Sequence, residues 1–142
     1  PEFLERYEGC DAALRHAGSA MDRALQVDAE SSEESGEAAA RELLARGLSF
    51  DAVFAASDLI AIGAMRAFAE HGLRIPEDVA VVGFDDIPAA RIATPALTTI
   101  HQDTTRAGEL LVARLVSLVE GESAASERLP TSLVVRRSTV AA

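Results

Sequence analysis

An α/β fold with a parallel sheet is the class this sequence predicts, and three observations carry the prediction. Short apolar runs alternate with helices of ten or more residues along most of the chain. One of those runs, AVFAA (Ala52 to Ala56), is wholly apolar, as expected of a strand covered on both faces, and another, VAVVG (Val79 to Gly83), is the strongest strand in the chain. Acidic or hydroxyl residues sit where both runs end: Ser57 and Asp58 after the first, Asp85 and Asp86 just past the second. Ligands of open α/β sheets bind at such strand ends.

The elements follow in order. Phe3, Leu4, Tyr7, Cys10 and Leu14 recur at helical spacing, so Glu2 to Ala17 reads as a helix ended near Gly18. Leu25 to Asp28 is a short strand. Ser31 and Glu34 offer a capping box before a helix that runs to Arg46 and stops at Gly47. Ala52 to Ala56 is a strand. Ser57 or Asp58 caps the next helix, which runs to His71 and stops at Gly72. Pro76 marks the turn before the strand Val79 to Gly83. A loop from Phe84 to Ala96 leads into the strand Thr98 to His101. Asp103 caps a long amphipathic helix, Thr104 to Glu120, ended by Gly121. A polar linker, Glu122 to Arg128, precedes the last strand, Ser132 to Arg136. The first element is a helix, yet a parallel sheet starts from a strand. With Pro1 in place of methionine, the expectation is a truncated chain whose leading strand lies upstream.

Composition narrows the function. The chain has 142 residues, 49% of them hydrophobic and 25% charged, which is one ordinary globular domain. A formal charge of −10 argues against this chain itself gripping nucleic acid, since phosphate binding needs a basic surface. The single Cys10 excludes an internal disulfide and a cysteine metal cluster. No apolar run reaches the roughly 18 residues of a membrane span. His16, His71 and His101 lack metal-ligand spacing, and no phosphate loop, nucleophile elbow or dinucleotide fingerprint is present. Neither a catalytic constellation, a metal nor a cofactor is expected.

Asp85 can accept hydrogen bonds from ligand hydroxyls, or it and Asp86 can divide between capping the turn at Ile87-Pro88 and facing solvent. Ser57 can cap and also touch a ligand, whereas Asp58 reads better as a cap. Arg6, opposite the apolar row of its helix, reads on its own as a surface arginine paired with Glu2 or Glu5. The helix Leu59 to Ala69 carries one charge in eleven residues. Its outer face therefore needs a cover. A second subunit approaching through Gly63 and Ala64 is one, and another part of the same chain is the alternative.

ASDLIAIGAMRAFAEHGLRIPEDVAVVGFDD, then TPALTTIHQD and LVVRRST, with ERYEGCDAAL and SSEESGEAAARELL before them, resemble the lactose-repressor (LacI/GalR) family of bacterial transcription regulators. The resemblance covers essentially the whole chain. It implies a three-layer fold of the type I periplasmic-binding-protein kind, with a parallel sheet between helices. This chain would be the C-terminal lobe (1–101 and 130–142), with the helix 103–121 packing in an absent N-terminal lobe. It implies a cytoplasmic homodimer that takes a sugar-like effector between two lobes and meets operator DNA only through a missing N-terminal helix-turn-helix domain. By resemblance Arg6, three residues before Gly9, contacts the ligand, Ser57 stands where the family often has a ligand-binding asparagine, and Asp85 matches a hydroxyl-binding aspartate. Ser31 and Thr104 occupy ligand positions that elsewhere can carry an aromatic ring, a departure from a usual pyranose site. Leu59, Ile62, Gly63 and Arg66 fall on the family's dimer helix. A periplasmic sugar-binding protein of a transport system is the alternative with the same lobes.

Overall fold

The computed structural model describes residues 2–140. Helix α1 (Glu2–His16) ends where Gly18 turns to φ 80°, letting the Ser19 amide reach back to the Leu14 carbonyl. Helix α2 (Glu33–Ala45) is capped by Ser32, whose hydroxyl accepts from the Ser35 amide. The cap thus lies one residue later than the expected capping box, and Ser31 is released from that duty. Strand β1 (Ala52–Phe54) leads into helix α3 (Asp58–Glu70), and strand β2 (Ala80–Val82) follows. The expected loop Phe84 to Ala96 contains a short helix, α4 (Pro88–Ile92). Strand β3 (Thr99–Gln102), helix α5 (Thr104–Val119) and strand β4 (Thr131–Val134) complete the chain.

Strands β1 and β2 pair in parallel, Val53 opposite Val81. The chain beyond β2 continues parallel to β3 through single bridges at Val82–Thr98 and Asp85–His101. Strand β4 pairs with β3 antiparallel, so the expected parallel sheet closes on an antiparallel edge. The following segment is stapled between strands. Ser138 Oγ donates to the Val81 carbonyl at 2.6 Å and accepts from the Thr98 amide at 2.8 Å.

The core is where α3 crosses α2 and covers β2. Phe68, Ala61 and Ala67 of α3 are wholly buried, as are Val81 and Leu97. Burying a side chain such as Phe68 contributes about 2 to 3 kcal/mol. Gly36 and Gly63 set the closeness of this crossing. A methyl group added at Gly63 would strike the backbone of Glu33, and one at Gly36 the backbone of Ile60. The approach that Gly63 permits is therefore by α2 of its own chain. The same-chain cover accounts for the inner faces of α3, while Leu59 and Ile62 remain half-buried and Arg66 exposed.

Two further expectations fail. Residues 25–28 do not form a strand. Arg23–Leu25 is a short 3-10 turn capped by Asp22, and the extended residues after it find no strand alongside. Arg46 instead holds the segment, donating to the carbonyls of Ala24 in the turn and Gln26 just after it. Nor is β1 covered on both faces, since Phe54 is 39% exposed. It borders a cavity of 620 Å³ walled by α1, residues 19–29 and α2. Helix α5 has no buried residue, and Leu111 and Val119 are 72% and 80% exposed.

Candidate ligand-binding site

The chain beyond β1 and β2, the residues just before α2 and the second turn of α1 bring Arg6, Ser31, Ser57 and Asp85 to one place. Arg6 Nη1 donates to the Ala56 carbonyl at 2.5 Å, and its guanidinium lies 3.9 Å from the centre of the Phe84 ring and 5.1 Å from that of Phe3. Its Nη2 is 3.7 Å from Asp85 Oδ1. The Arg6 side chain is only 12% exposed, which overturns its reading as a surface arginine paired within its own helix. Lying over the Phe84 ring with a backbone anchor leaves the guanidinium little rotamer freedom, so its remaining donors are pre-aimed.

Ser57 ends the segment after β1 and caps α3, its hydroxyl accepting from the Ile60 amide. The same hydroxyl receives a hydrogen bond from Ser31 Oγ at 2.9 Å. Asp58 does not cap. It is wholly buried and clamps the chain beyond β2. Its Oδ2 accepts from the Ile87 amide at 2.9 Å and its Oδ1 from the Thr99 hydroxyl at 2.5 Å. Burial pushes the Asp58 carboxyl up, against those two hydrogen bonds, and the nearby charges of Asp85 and Asp86 push it the same way.

Asp85 and Asp86 both have positive φ, 114° and 53°. Asp85 accepts from Gln102 Nε2 at 2.7 Å and donates its own amide to the Ile100 carbonyl. Asp86 is neither a turn cap nor solvated: its side chain is 4% exposed. Arg136 reaches its Oδ1 at 2.5 Å, while His101 Nδ1 and Arg91 approach its Oδ2 at 3.0 and 3.4 Å. Burial alone would raise this carboxyl, but the Arg136 and Arg91 guanidinium groups hold it below the usual carboxylate range. Thr104 is not brought to the cluster by any hydrogen bond. It stands exposed on the first turn of α5. Gln102, His101 and Arg136 belong to the network; they lie in the motifs TPALTTIHQD and LVVRRST, but nothing local marks their roles, because their partners lie 15 to 50 residues away.

The arrangement offers fixed N–H donors from Arg6, hydroxyls at Ser31 and Ser57, and an acceptor carboxylate at Asp85, 31% exposed at the rim. Such a set can hydrogen-bond to several hydroxyl groups at once. Among the described residues no group of His, Cys, Asp and Glu is placed to hold a metal ion, and no helix is long and apolar enough to cross a membrane.

The chain belongs to the periplasmic binding protein-like domain family, whose profile matches residues 3–139. Within it the relatives are LacI-type regulators. The chain is 43% identical over 137 residues to the HTH-type transcriptional regulator CelR of Thermobifida fusca, covering 95% of this chain and 40% of that protein. It superimposes on a transcriptional regulator CelR–cellobiose complex with a TM-score of 0.90 at 43% identity, over 95% of this chain and 42% of that one. A lac repressor dimer bound to operator and the anti-inducer ONPF matches with a TM-score of 0.73 at 40% identity, over 78% of this chain and 39% of that one. The chain spans about 40% of the length of the curated relatives it matches.

Proposed function

We propose that this chain is the C-terminal lobe of the effector-sensing region of a LacI-type transcription regulator, and that it carries one wall of a cleft for a small polyhydroxylated effector. The observation that carries the reading is the pairing of a stacked, backbone-anchored Arg6 with Asp85 and the Ser31–Ser57 hydroxyl pair at the strand ends. A guanidinium fork and a carboxylate side by side match the alternating donors and acceptors of neighbouring hydroxyls on a sugar or related polyol. Arg6 lies over the Phe84 ring, and Ser31 and Thr104 offer no ring to a ligand, so hydrogen bonds carry the recognition in this reading. Thr104 contributes only where closure of a second lobe brings the start of α5 over the ligand.

Ligand between two lobes would change their relative angle and so the spacing of two DNA-binding heads, a coupling through a two-state element. Helix α5, with its uncovered apolar row, would pack in the other lobe. A strand of the longer protein would fill the cavity beside β1. Leu59, Ile62 and Arg66 form the stripe of α3 that faces outward for a homodimer. Operator contact falls to a separate helix-turn-helix domain and the site of action is the cytoplasm. A regulator is favoured over a transport receptor because relatives such as CelR and PurR are regulators of transcription.

The test is calorimetry with the longer regulator that contains this chain, using cellobiose first and then a panel of mono- and disaccharides. Binding of one sugar that weakens at least about tenfold in Arg6→Ala supports the reading, a loss of the size expected for charge-assisted hydrogen bonds. A sugar bound equally well by both proteins would refute the site.

A further inference from the structure

The Asp85–Asp86 turn holds two consecutive non-glycine residues in the left-handed half of backbone space, at φ 114° and 53°. A residue with a Cβ stays there only when its surroundings over-determine it. The surroundings here converge on the second residue. Arg136, arriving from beyond β4, and His101 on β3 hold the two oxygens of Asp86, with Arg91 of α4 outside them. The Asp86 amide points to Thr99 Oγ1 at 3.4 Å, and that hydroxyl is in turn held by Asp58, which also takes the amide of the next residue, Ile87. The Asp85 side chain itself meets Gln102 at 2.7 Å and Arg6 at 3.7 Å.

We infer that Asp86 is a positioning residue for the site: its buried carboxylate, gripped by Arg136 and His101, locks the turn so that the Asp85 carboxylate faces Arg6 and the ligand. The inference deepens the proposed function and rests on Asp85 being a ligand contact. It assigns Asp86 no contact with ligand. The loop is thereby tied to three separate elements, α4, β3 and the segment after β4. A ligand pulling on Asp85 therefore meets a fixed anchor and not a mobile hairpin. Asparagine in place of Asp86 keeps an acceptor for Arg136 and tolerates positive φ, whereas alanine keeps neither.

The experiment has two arms. In this chain, NMR reads the strong intraresidue amide–Hα cross-peak that marks positive φ at Asp85, and the exchange rate of the Asp85 amide, which donates to Ile100. Asp86→Ala is expected to lose the cross-peak and speed that exchange by about tenfold, the size of one lost charge-assisted hydrogen bond, with Asp86→Asn close to the parent. Asp86→Gly, which accepts φ 53° without steric cost, is the second variant should alanine disturb folding. It is expected to fold while still loosening Asp85. In the longer regulator, cellobiose is the probe, and affinity should fall in the order Asp, Asn, Ala at this position. An unchanged cross-peak and unchanged exchange in both Asp86→Ala and Asp86→Gly overturn the inference. So does an Asn variant as impaired as Ala. A regulator that fails to bind cellobiose, in which the Asp85 geometry is nonetheless lost in Asp86→Ala, supports the positioning role and counts only against the ligand.

Discussion

Replacing Gly63 by alanine probes the crossing of α2 and α3 on which the core rests. The added methyl would fall on the Glu33 carbonyl oxygen, with the Glu33 carbonyl carbon and the Glu37 amide nitrogen each 2.8 Å away. All three are backbone atoms, so no side chain can rotate aside and the two helices must part. Overpacking of this kind costs about 1 to 3 kcal/mol, and a clash with fixed backbone belongs at the top of that range. Alanine is the better helix former by about 1 kcal/mol, which offsets part of the cost. The net loss is about 2 kcal/mol, or about 4 to 8 °C in the midpoint of a chain of this size. Gly9→Ala is the control, since a methyl there meets nothing within 4 Å and should be neutral or raise stability by up to about 1 kcal/mol. Thermal and urea unfolding followed by circular dichroism, at one protein concentration, reads both. If Gly63→Ala proved as stable as the parent, or moved with Gly9→Ala, the tight crossing would be wrong.

Asp58→Ala strands the Ile87 amide and the Thr99 hydroxyl and should cost about 2 to 4 kcal/mol, whereas Asp58→Asn, which can serve both, should cost less than about 1 kcal/mol by urea unfolding at pH 7. Because the folded Asp58 carboxyl is raised above its ordinary 3.8, its contribution is full below that value and is lost as pH rises through the raised one. Unfolding midpoints at pH 4 and pH 7 should therefore differ in this sense between parent and Asp58→Asn, and identical pH profiles would refute the burial argument. The apolar row of α5 should make the chain self-associate. Sedimentation is expected to show a concentration-dependent oligomer that Leu115→Glu or Val119→Glu disperses, against which a stable monomer at high concentration would count. With one wall of a cleft, the chain alone should bind sugars only weakly, and tight calorimetric binding by the chain without the rest of the regulator would contradict the two-wall account.

The helices were legible because their signals are local. Apolar spacing, Ser57 and Asp103 as caps, and glycines at 18, 47, 72 and 121 are all visible within a few residues of each boundary. Strands were read less well, since a strand exists only through its neighbours. Residues 25–28 alternate as a half-buried strand would but pair with no strand among the described residues, and the antiparallel placement of β4 depends on a return after α5 that no local pattern announces. In the site, Ser57 and Asp85 stood out by their hydrogen-bonding groups at strand ends, whereas a ligand role for Arg6 came only from the resemblance to whole motifs. Arg6 in particular looked like an ordinary exposed arginine until Phe84, Ala56 and Asp85 were brought around it. Asp58 and Asp86 exchanged expectations: the presumed cap is a buried clamp, and the presumed cap or solvated acid is the anchor of the turn. Both depend on partners more than a dozen residues away, which is why spacing did not show them.

The most direct measurement is a residue-resolved map of ligand contact: amide and arginine side-chain NMR shifts of the longer regulator, labelled over this chain, as cellobiose or the best sugar of the panel is added. The account predicts that the largest changes fall on Arg6, Ser31, Ser57, Asp85 and Gln102, with the outward stripe of Leu59, Ile62 and Arg66 unmoved by direct contact. Changes centred elsewhere, with Arg6 and Asp85 silent under saturating sugar, would contradict it.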